Sequence, residues 1–174
     1  MTSLTSNKGN SDKSNNVIVD TGCANLSSVK FAIERLGFTA TITDDIEQIK
    51  AADKVIFPGV GSAKHAMANI IEKNLVATLQ GLTQPVLGFC LGMQLMTESS
   101  PEGEKDDLVD CLGIIPTQVT PLNAKGNRLP HMGWNTLTKV AEHPVLKGIN
   151  IGDYFYFVHS FAAPVSEYTL ASCE

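Results

Sequence analysis

Short β-branched runs alternate with segments of helical period along the first half of this chain. The NVIVD run at 16–20 is followed by apolar residues at helical spacing, which stop at Gly37. The FTATIT run at 38–43, the KVIF run at 54–57 and the PVLGF run at 85–89 repeat this pattern. Because strands that alternate with helices pair into parallel sheets, the sequence predicts an α/β fold with an open, mostly parallel sheet and helices on both faces.

Three helices of this pattern can be placed more closely. Asp44 and Glu47 resemble a capping box that opens a short helix through Ala51. The CLGMQLMTE segment at 90–98 predicts a helix directly after the fourth strand. A long helix between these two is predicted from its apolar face, formed by Ala63, Ala66, Met67, Ile70, Ile71 and Leu75.

The composition changes after Thr97. A charged loop (ESSPEGEKDDLVD) is predicted at 98–110, and the later runs are rich in β-branched and aromatic residues between Pro and Gly turns. The second half is therefore predicted to be richer in strands than in helices. The predicted strand regions are 112–122, 134–140, 154–162 and 168–174.

Length, charge and cysteine spacing limit the possible function classes. A chain of 174 residues suits one domain, predicted at 16–174 after a flexible N-terminal tail at 1–15. A net charge of -5 with two arginines argues against nucleic-acid binding, and no apolar run approaches the ~20 residues of a membrane helix. The four cysteines are widely spaced and form no CxxC pair, which indicates a reducing, cytoplasmic setting and no metal or cofactor site.

The GFCLG segment places Cys90 between two glycines at the end of a predicted strand. Its G-x-C-x-G form is that of a nucleophile elbow, in which a tight strand-to-helix turn lifts the nucleophile out of the sheet. There the helix dipole would favour the thiolate over the thiol. The alternative is a buried core thiol, because cysteine is among the most buried residue types. The motif alone leaves both interpretations open.

The PGVGS turn at 58–62 favours the nucleophile. It ends the neighbouring strand and opens a helix, so that its backbone N–H groups could face a developing oxyanion. A dinucleotide-binding turn is the competing interpretation, but Gly59 and Gly61 lack the third glycine of that motif. A thiol and exposed amides at adjacent strand ends suit acyl transfer through a tetrahedral intermediate.

A cysteine hydrolase also needs a base, which is usually a histidine. His65 in the long helix and His143 before Pro144 suit surface roles. His131 and His159 could line a pocket, but no carboxylate closely follows His159 to orient it. These residues do not complete a catalytic triad.

Taken together, these motifs resemble the class I glutamine amidotransferases. GFCLGMQ and PGVG are similar to the cysteine elbow and the oxyanion turn of that family. The segments DTGCANLSSV, LPHMGWN and YFYFVHSFA, together with Met93, narrow the resemblance to the glutaminase subunits of imidazole glycerol phosphate synthases. The matching blocks follow in the expected order from Val17 to about Cys173.

The resemblance implies a function and a set of site residues. Cys90 would attack the side-chain amide of glutamine, release ammonia and form a thioester that water hydrolyses. The ammonia would pass to a cyclase barrel, either a separate or a fused chain, that makes imidazole glycerol phosphate in histidine biosynthesis. The implied oxyanion donors are Gly59, Val60, Gly61 and Leu91. Glutamine would be held by Gln94, His159, Ser160 and Phe161. The cyclase would be faced by His131, Met132, Trp134, Asn135 and Tyr156, although filling of the core is the alternative for the two aromatic residues.

The chain departs from the family at its C-terminal end. The family's catalytic histidine and glutamate lie in a Q-F-H-P-E type motif on a later strand, which a final helix follows, and the sequence ends at Glu174 before that motif. The resemblance therefore implies a sheet that lacks its final strand and helix, and a chain of impaired activity. A truncated sequence, a natural fragment or inactive paralogue, and one piece of a protein completed by another piece all stay open.

Three hypotheses about function follow. The first is a glutaminase subunit that feeds ammonia to a cyclase. The second is a non-catalytic scaffold that binds the cyclase, and the third is another amidotransferase-like cysteine hydrolase with a different acceptor. The reading frame beyond codon 174 separates the first two, because H-P-E codons would support the enzyme and a stop codon would support the scaffold.

Overall fold

The computed structural model describes residues 14–23, 25–101 and 108–173. Most of the predicted tail, the middle of the charged loop and Glu174 lie outside these ranges. The chain divides into two compact units. One comprises the residues up to Gly61 together with His65–Met93, and the other comprises Ser62–Lys64 and the residues from Gln94 onward. The single domain and its boundaries stay predictions. Among the described residues, no helix is long and apolar enough to cross a membrane.

A four-stranded parallel sheet organises the first half of the chain. Its strands are β1 (Asn16–Val19), β2 (Ala40–Thr43), β3 (Lys54–Phe57) and β4 (Val86–Gly88), in the order β2-β1-β3-β4. The helices are α1 (Leu26–Arg35), α2 (Ile46–Lys50), α3 (Ala63–Glu72), α4 (Val76–Gln80) and α5 (Leu91–Leu95). Every neighbouring pair of strands in this sheet is parallel. The predicted α/β class with a mostly parallel sheet is confirmed.

Strand β1 lies in the interior of this sheet. Val17, Ile18 and Val19 are all buried, although successive side chains of a strand point to opposite faces. Both faces of β1 are therefore covered, as expected for a central parallel strand. Burial of each of these side chains contributes about 1.5–3 kcal/mol relative to leaving it in water.

The capping box predicted at Asp44 and Glu47 is wrong by one residue. Asp45 is the N-cap of α2, because its backbone is extended and its carboxylate accepts a 2.8 Å hydrogen bond from the Gln48 N–H. Asp44 instead forms an ion pair with Lys73. The two adjacent aspartates are the same residue type, and a tertiary contact decides which of them caps the helix.

The long helix predicted from Ala63 to Leu75 is shorter than expected, because α3 ends at Glu72 and a separate helix, α4, begins at Val76. Asn74 has a left-handed backbone with a φ of 56°. The N–H groups of Asn74 and Leu75 donate to the carbonyls of Ile71 and Ile70, which is a common way to end a helix. The predicted apolar face is buried except for Ile71, whose exposed fraction is 60%.

The helix predicted at 90–98 is also shorter than expected, since α5 ends at Leu95 and Thr97–Ser100 forms strand β5. The hydroxyl of Thr97 donates to the Gln94 carbonyl at 2.7 Å, and the β-branched side chain is buried. Part of the predicted charged loop is therefore strand. Pairing with other strands outweighs the helical spacing of this segment.

Short strands dominate the second half of the chain, as predicted. The strands after β5 are β6 (Val109–Asp110), β7 (Ile115–Gln118), β8 (Thr120–Pro121), β9 (His131–Thr136), β10 (Lys139–Val140), β11 (Tyr154–His159), β12 (Phe161–Ala162) and β13 (Ala171–Ser172). They pair as β6-β5-β7, β12-β8, β11-β9 and β10-β13. A 3₁₀ helix covers Pro144–Leu146. The six-residue antiparallel pair of β9 and β11, called the β9-β11 ribbon below, carries several of the predicted site residues.

Candidate active site

Cys90 lies in a tight turn between β4 and α5. Its backbone φ is 52°, in the left-handed region that few non-glycine residues adopt, and the residue is exposed. The N–H of Gly92 donates to the carbonyl of Phe89 at 2.8 Å and closes the turn around Cys90. A strained backbone that presents an exposed side chain is the geometry of a nucleophile elbow. A core cysteine would be buried, so the exposure of Cys90 argues against that alternative.

Gly92 allows the start of α5 to lie against the end of β3. A Cβ atom on Gly92 would lie 1.7 Å from the carbonyl oxygen of Phe57. That carbonyl also accepts the N–H of Phe89 at 3.1 Å, and Phe57 is the register partner of Gly88. The second glycine of the motif is therefore required by a contact with the neighbouring strand.

The PGVG turn follows β3 and packs against the elbow. Gly59 is buried, and a Cβ atom on it would lie 3.1 Å from both the Gly92 nitrogen and the Leu91 Cβ. Gly61 has a φ of 102°, a conformation that L side chains rarely adopt. The first unit thus brings the predicted nucleophile and the predicted oxyanion turn together. It combines an exposed thiol with a backbone turn at adjacent strand ends, as acyl transfer requires.

Two of the other thiols are poor candidates for nucleophilic attack. Burial raises the pKa of Cys111 to about 11, and the charge of Asp110 adds to this rise. Burial also raises the pKa of Cys173. Because the thiolate is the attacking species, a raised pKa leaves little reactive sulfur near neutral pH.

An ion cluster around Lys73 joins the carboxyl ends of β1 and β2. Lys73 Nζ lies 2.8 Å from Asp44 Oδ2 and 3.6 Å from Asp20 Oδ1, and it donates to the Asp20 carbonyl at 2.9 Å. The hydrogen bond and the charge of Lys73 lower the pKa of Asp44 below its usual 3.8. Burial acts to lower the pKa of Lys73, but the two carboxylates together raise it above 10.5. The sequence does not reveal this cluster, because its members are far apart along the chain.

The residues predicted to hold glutamine lie in the second unit. Gln94 donates from its side-chain Nε2 to Ser100 Oγ at 2.6 Å. His159 ends β11, and its Nδ1 lies 2.9 Å from the carbonyl oxygen of Phe161 in β12. Ser160 connects these two strands. The segment 159–161 is therefore a compact corner with its own side-chain to backbone hydrogen bond.

The residues predicted to face the cyclase divide between the two faces of the β9-β11 ribbon. Met132, Trp134 and Tyr156 share one face and have exposed fractions of 63%, 69% and 57%. The rings of Trp134 and Tyr156 pack edge to face with centroids 5.6 Å apart. His131 and Asn135 lie on the opposite face. The exposure of both aromatic residues argues against a role in filling the core.

His131 and His159 lie directly opposite each other in the ribbon and bond through their rings, with 3.0 Å between His131 Nδ1 and His159 Nε2. The sequence presents them as separate candidate bases, and only the pairing of β9 with β11 brings them together. Of the other two histidines, His65 is exposed on α3. His143 accepts the Val145 N–H at the start of the 3₁₀ helix. Both placements agree with the surface roles expected for them.

The sequence and the fold of this chain are similar to those of known proteins. The model of the class-I glutamine amidotransferase family matches residues 15–171 of this chain. The chain belongs to this family. A crystal structure described as that of a glutamine amidotransferase superposes on this chain with a TM-score of 0.66. The two sequences are 17% identical, and the superposition covers 89% of this chain and 78% of the solved one, so this likeness concerns the fold.

Relatives of this chain at much higher identity carry the name imidazole glycerol phosphate synthase subunit HisH. The protein of that name from Colwellia psychrerythraea is 75% identical over 91% of this chain and 76% of its own length. Those from Idiomarina loihiensis and Shewanella sediminis are 58% and 55% identical and cover 92% and 91% of this chain, and 79% and 72% of their own lengths. The family resemblance inferred from the sequence motifs is confirmed.

Proposed function

We propose that this protein is the glutaminase subunit of imidazole glycerol phosphate synthase, which hydrolyses glutamine and delivers the ammonia to a cyclase. The observation that carries this proposal is the exposed thiol of Cys90, on a strained turn with a φ of 52° and beside the PGVG turn. The identity of 75% to a protein named as that subunit supports the choice of this branch of the family.

The proposed reaction starts with attack of Cys90 Sγ on the carbonyl carbon of the glutamine side chain. The carbonyl oxygen then becomes an oxyanion, which the N–H groups of the PGVG turn and of Leu91 would stabilise. The tetrahedral intermediate breaks its C–N bond, and the leaving nitrogen takes up the proton that the thiol lost. Ammonia departs and a thioester is left on Cys90, which water hydrolyses to glutamate and free thiol.

Proton transfer in these steps needs a base. The family resemblance assigns this role to a histidine, oriented by a glutamate, in a Q-F-H-P-E type motif that does not occur within the 174 residues. Both ring nitrogens of His159 are already engaged, one with His131 and one with the Phe161 carbonyl. We therefore expect a polypeptide of only these residues to turn glutamine over far more slowly than a protein that has the motif.

The exposed aromatic face of the β9-β11 ribbon is the proposed cyclase-binding surface. Met132, Trp134 and Tyr156 form a contiguous apolar group on this face, and contiguous exposed apolar groups commonly mark binding surfaces. Methionine and aromatic residues are enriched at the centres of protein interfaces, where Trp and Tyr contribute much of the binding energy. The opposite face of the same ribbon carries His159, the first residue of the segment 159–161 proposed to hold glutamine.

A cytoplasmic location is also part of the proposal. Cys23, Cys90, Cys111 and Cys173 are free thiols, as expected in a reducing compartment.

The glutaminase proposal is tested with the gene product, read past codon 174 wherever the frame continues, in complex with its cyclase. Glutamate and ammonia are measured after addition of glutamine. Cys90→Ala should lower kcat by about 10³-fold or more, because the nucleophile is lost. Cys111→Ala is the matched control and should keep most of the activity. A complex that assembles but does not hydrolyse glutamine would support the scaffold hypothesis instead.

The binding surface is tested by calorimetric titration of the cyclase with Trp134→Ala. Loss of a central tryptophan should weaken binding by about 30-fold, which corresponds to about 2 kcal/mol. Phe31→Ala is the control, because Phe31 is an exposed aromatic residue on α1, outside the ribbon. An unchanged Kd for Trp134→Ala would place the cyclase on another surface.

A further inference from the structure

The histidine pair of the β9-β11 ribbon forms one end of a short chain of hydrogen bonds. His131 Nδ1 lies 3.0 Å from His159 Nε2, and His159 Nδ1 lies 2.9 Å from the Phe161 carbonyl oxygen. Both rings are half-buried. These hydrogen bonds connect β9, the end of β11 and the first residue of β12.

The chemistry of imidazole decides which atom donates in each of these hydrogen bonds. A carbonyl oxygen only accepts hydrogen bonds, so His159 Nδ1 must carry the proton that faces Phe161. A neutral ring has one N–H group, which leaves His159 Nε2 as an acceptor. His131 Nδ1 must then carry a proton and donate it to His159. The hydrogen bond from His131 therefore stabilises the same neutral tautomer of His159 that the Phe161 carbonyl favours.

The surrounding contacts hold His131 in the position to do this. Its ring stacks on Phe157 with a centroid distance of 5.5 Å and an interplanar angle of 24°. The Phe157 ring also lies 5.6 Å from that of His159, on the same face of the ribbon. Beyond His159, the Leu122 N–H donates to the Ser160 carbonyl at 2.8 Å. The corner at 159–161 is thus held from both sides.

We propose that His131 is a positioning residue for glutamine binding, because the hydrogen bond from its Nδ1 to His159 Nε2 stabilises the tautomer of His159 that donates to the Phe161 carbonyl and so helps to order the corner at 159–161. The inference rests on the proposed function, in which this corner holds the glutamine substrate. Without the His131 donor, His159 can exchange its proton between the two ring nitrogens. The bond to the Phe161 carbonyl is then made only part of the time, and the corner is less well ordered for substrate.

Two substitutions separate the donor from the ring. His131→Phe keeps a ring that can stack on Phe157 but removes the N–H group. His131→Asn removes the ring but places an amide N–H near the position of Nδ1. In the complex of the gene product with its cyclase, we expect His131→Phe to raise the KM for glutamine about five- to tenfold with kcat changed less than threefold. His131→Asn should restore most of the affinity.

A spectroscopic readout tests the tautomer directly. Nitrogen-15 NMR of the histidine rings in the wild-type complex should show His159 protonated at Nδ1 and unprotonated at Nε2. The His131→Phe complex should show a mixture of the two tautomers. His143→Phe is the control, since His143 lies at the 3₁₀ helix and should affect neither KM nor the His159 signals.

Each outcome decides between the two levels of the proposal. An inactive wild-type complex would refute the proposed glutaminase function. An active wild-type complex in which His131→Phe leaves KM unchanged, or in which Phe and Asn raise it equally, would refute the positioning role. A wild-type His159 protonated at Nε2 would refute it as well, whatever the kinetics.

Discussion

The substitution Gly92→Ala tests whether the elbow at Cys90 depends on contact with the neighbouring strand. The added Cβ would lie 1.7 Å from the Phe57 carbonyl oxygen, and at least 3.0 Å is needed, so the two must separate by at least 1.3 Å. The same carbonyl accepts the Phe89 N–H at 3.1 Å. Loss of that hydrogen bond costs about 1 kcal/mol, and overpacking costs about 1–3 kcal/mol more. We expect a loss of about 2–4 kcal/mol in the free energy of unfolding.

Urea denaturation of the gene product, followed by far-UV circular dichroism, measures this loss. With a slope of about 2 kcal/mol per molar urea, the midpoint should fall by about 1–2 M. Gly81→Ala is the matched control, because Gly81 ends α4 with a φ of -88° and its new Cβ would lie 3.2 Å from the nearest atom. Glutaminase activity should fall in Gly92→Ala but not in Gly81→Ala. Equal stability and activity in the two variants would refute the reasoning.

Three further substitutions test the first unit by urea denaturation. Lys73→Met should cost about 1 kcal/mol at neutral pH, a value kept small because Asp44 is half exposed. Because the pKa of Asp44 is lowered from 3.8, the stabilisation by the ion pairs is fully present above pH 3.8 and is lost as the pH falls below it. Because the pKa of Lys73 is raised from 10.5, the stabilisation is fully present below pH 10.5 and is lost as the pH rises above it. A difference between wild type and variant that does not depend on pH would contradict the ion pairs. Asp45→Ala should cost about 1 kcal/mol through loss of the α2 N-cap, whereas no change would show that the cap contributes nothing. Cys90→Gly should be about 1 kcal/mol more stable than Cys90→Ala, with both inactive, because glycine accepts the left-handed backbone; equal stability would show that the turn is unstrained.

The parallel sheet could be predicted because each of its strands is marked locally. Three of the four residues of strand β1 form the apolar run Val17–Val19, and Gly37 stops the helical pattern of α1 where the chain turns back. The errors occur where one contact or one backbone conformation decides. Asn74 ends α3 by adopting a left-handed backbone, and Thr97 enters a strand because it pairs with β7. Neither outcome is visible in the spacing of apolar residues.

The site divides in the same way between local and distant features. Cys90 and the PGVG turn are short motifs that their glycines make recognisable in the sequence. The Lys73 cluster and the histidine pair join residues from separate strands and helices, and they exist only once those elements have assembled. His131 and His159 stand at matching ends of two strands, so knowledge of the β9-β11 register would have been enough to pair them.

The contact between Gly92 and Phe57 explains why two glycine motifs are more informative than one. A left-handed backbone at Cys90 costs about 1–2 kcal/mol and persists only if the surrounding structure holds it. Here the close approach of α5 to the end of β3 and the packing of Gly59 on Leu91 provide that support. Both contacts require that β3 and β4 end at the same level, which the pairing of Phe57 with Gly88 ensures. A G-x-C-x-G segment without a glycine turn on the adjacent strand would lack this support, and its cysteine would more readily relax into the core.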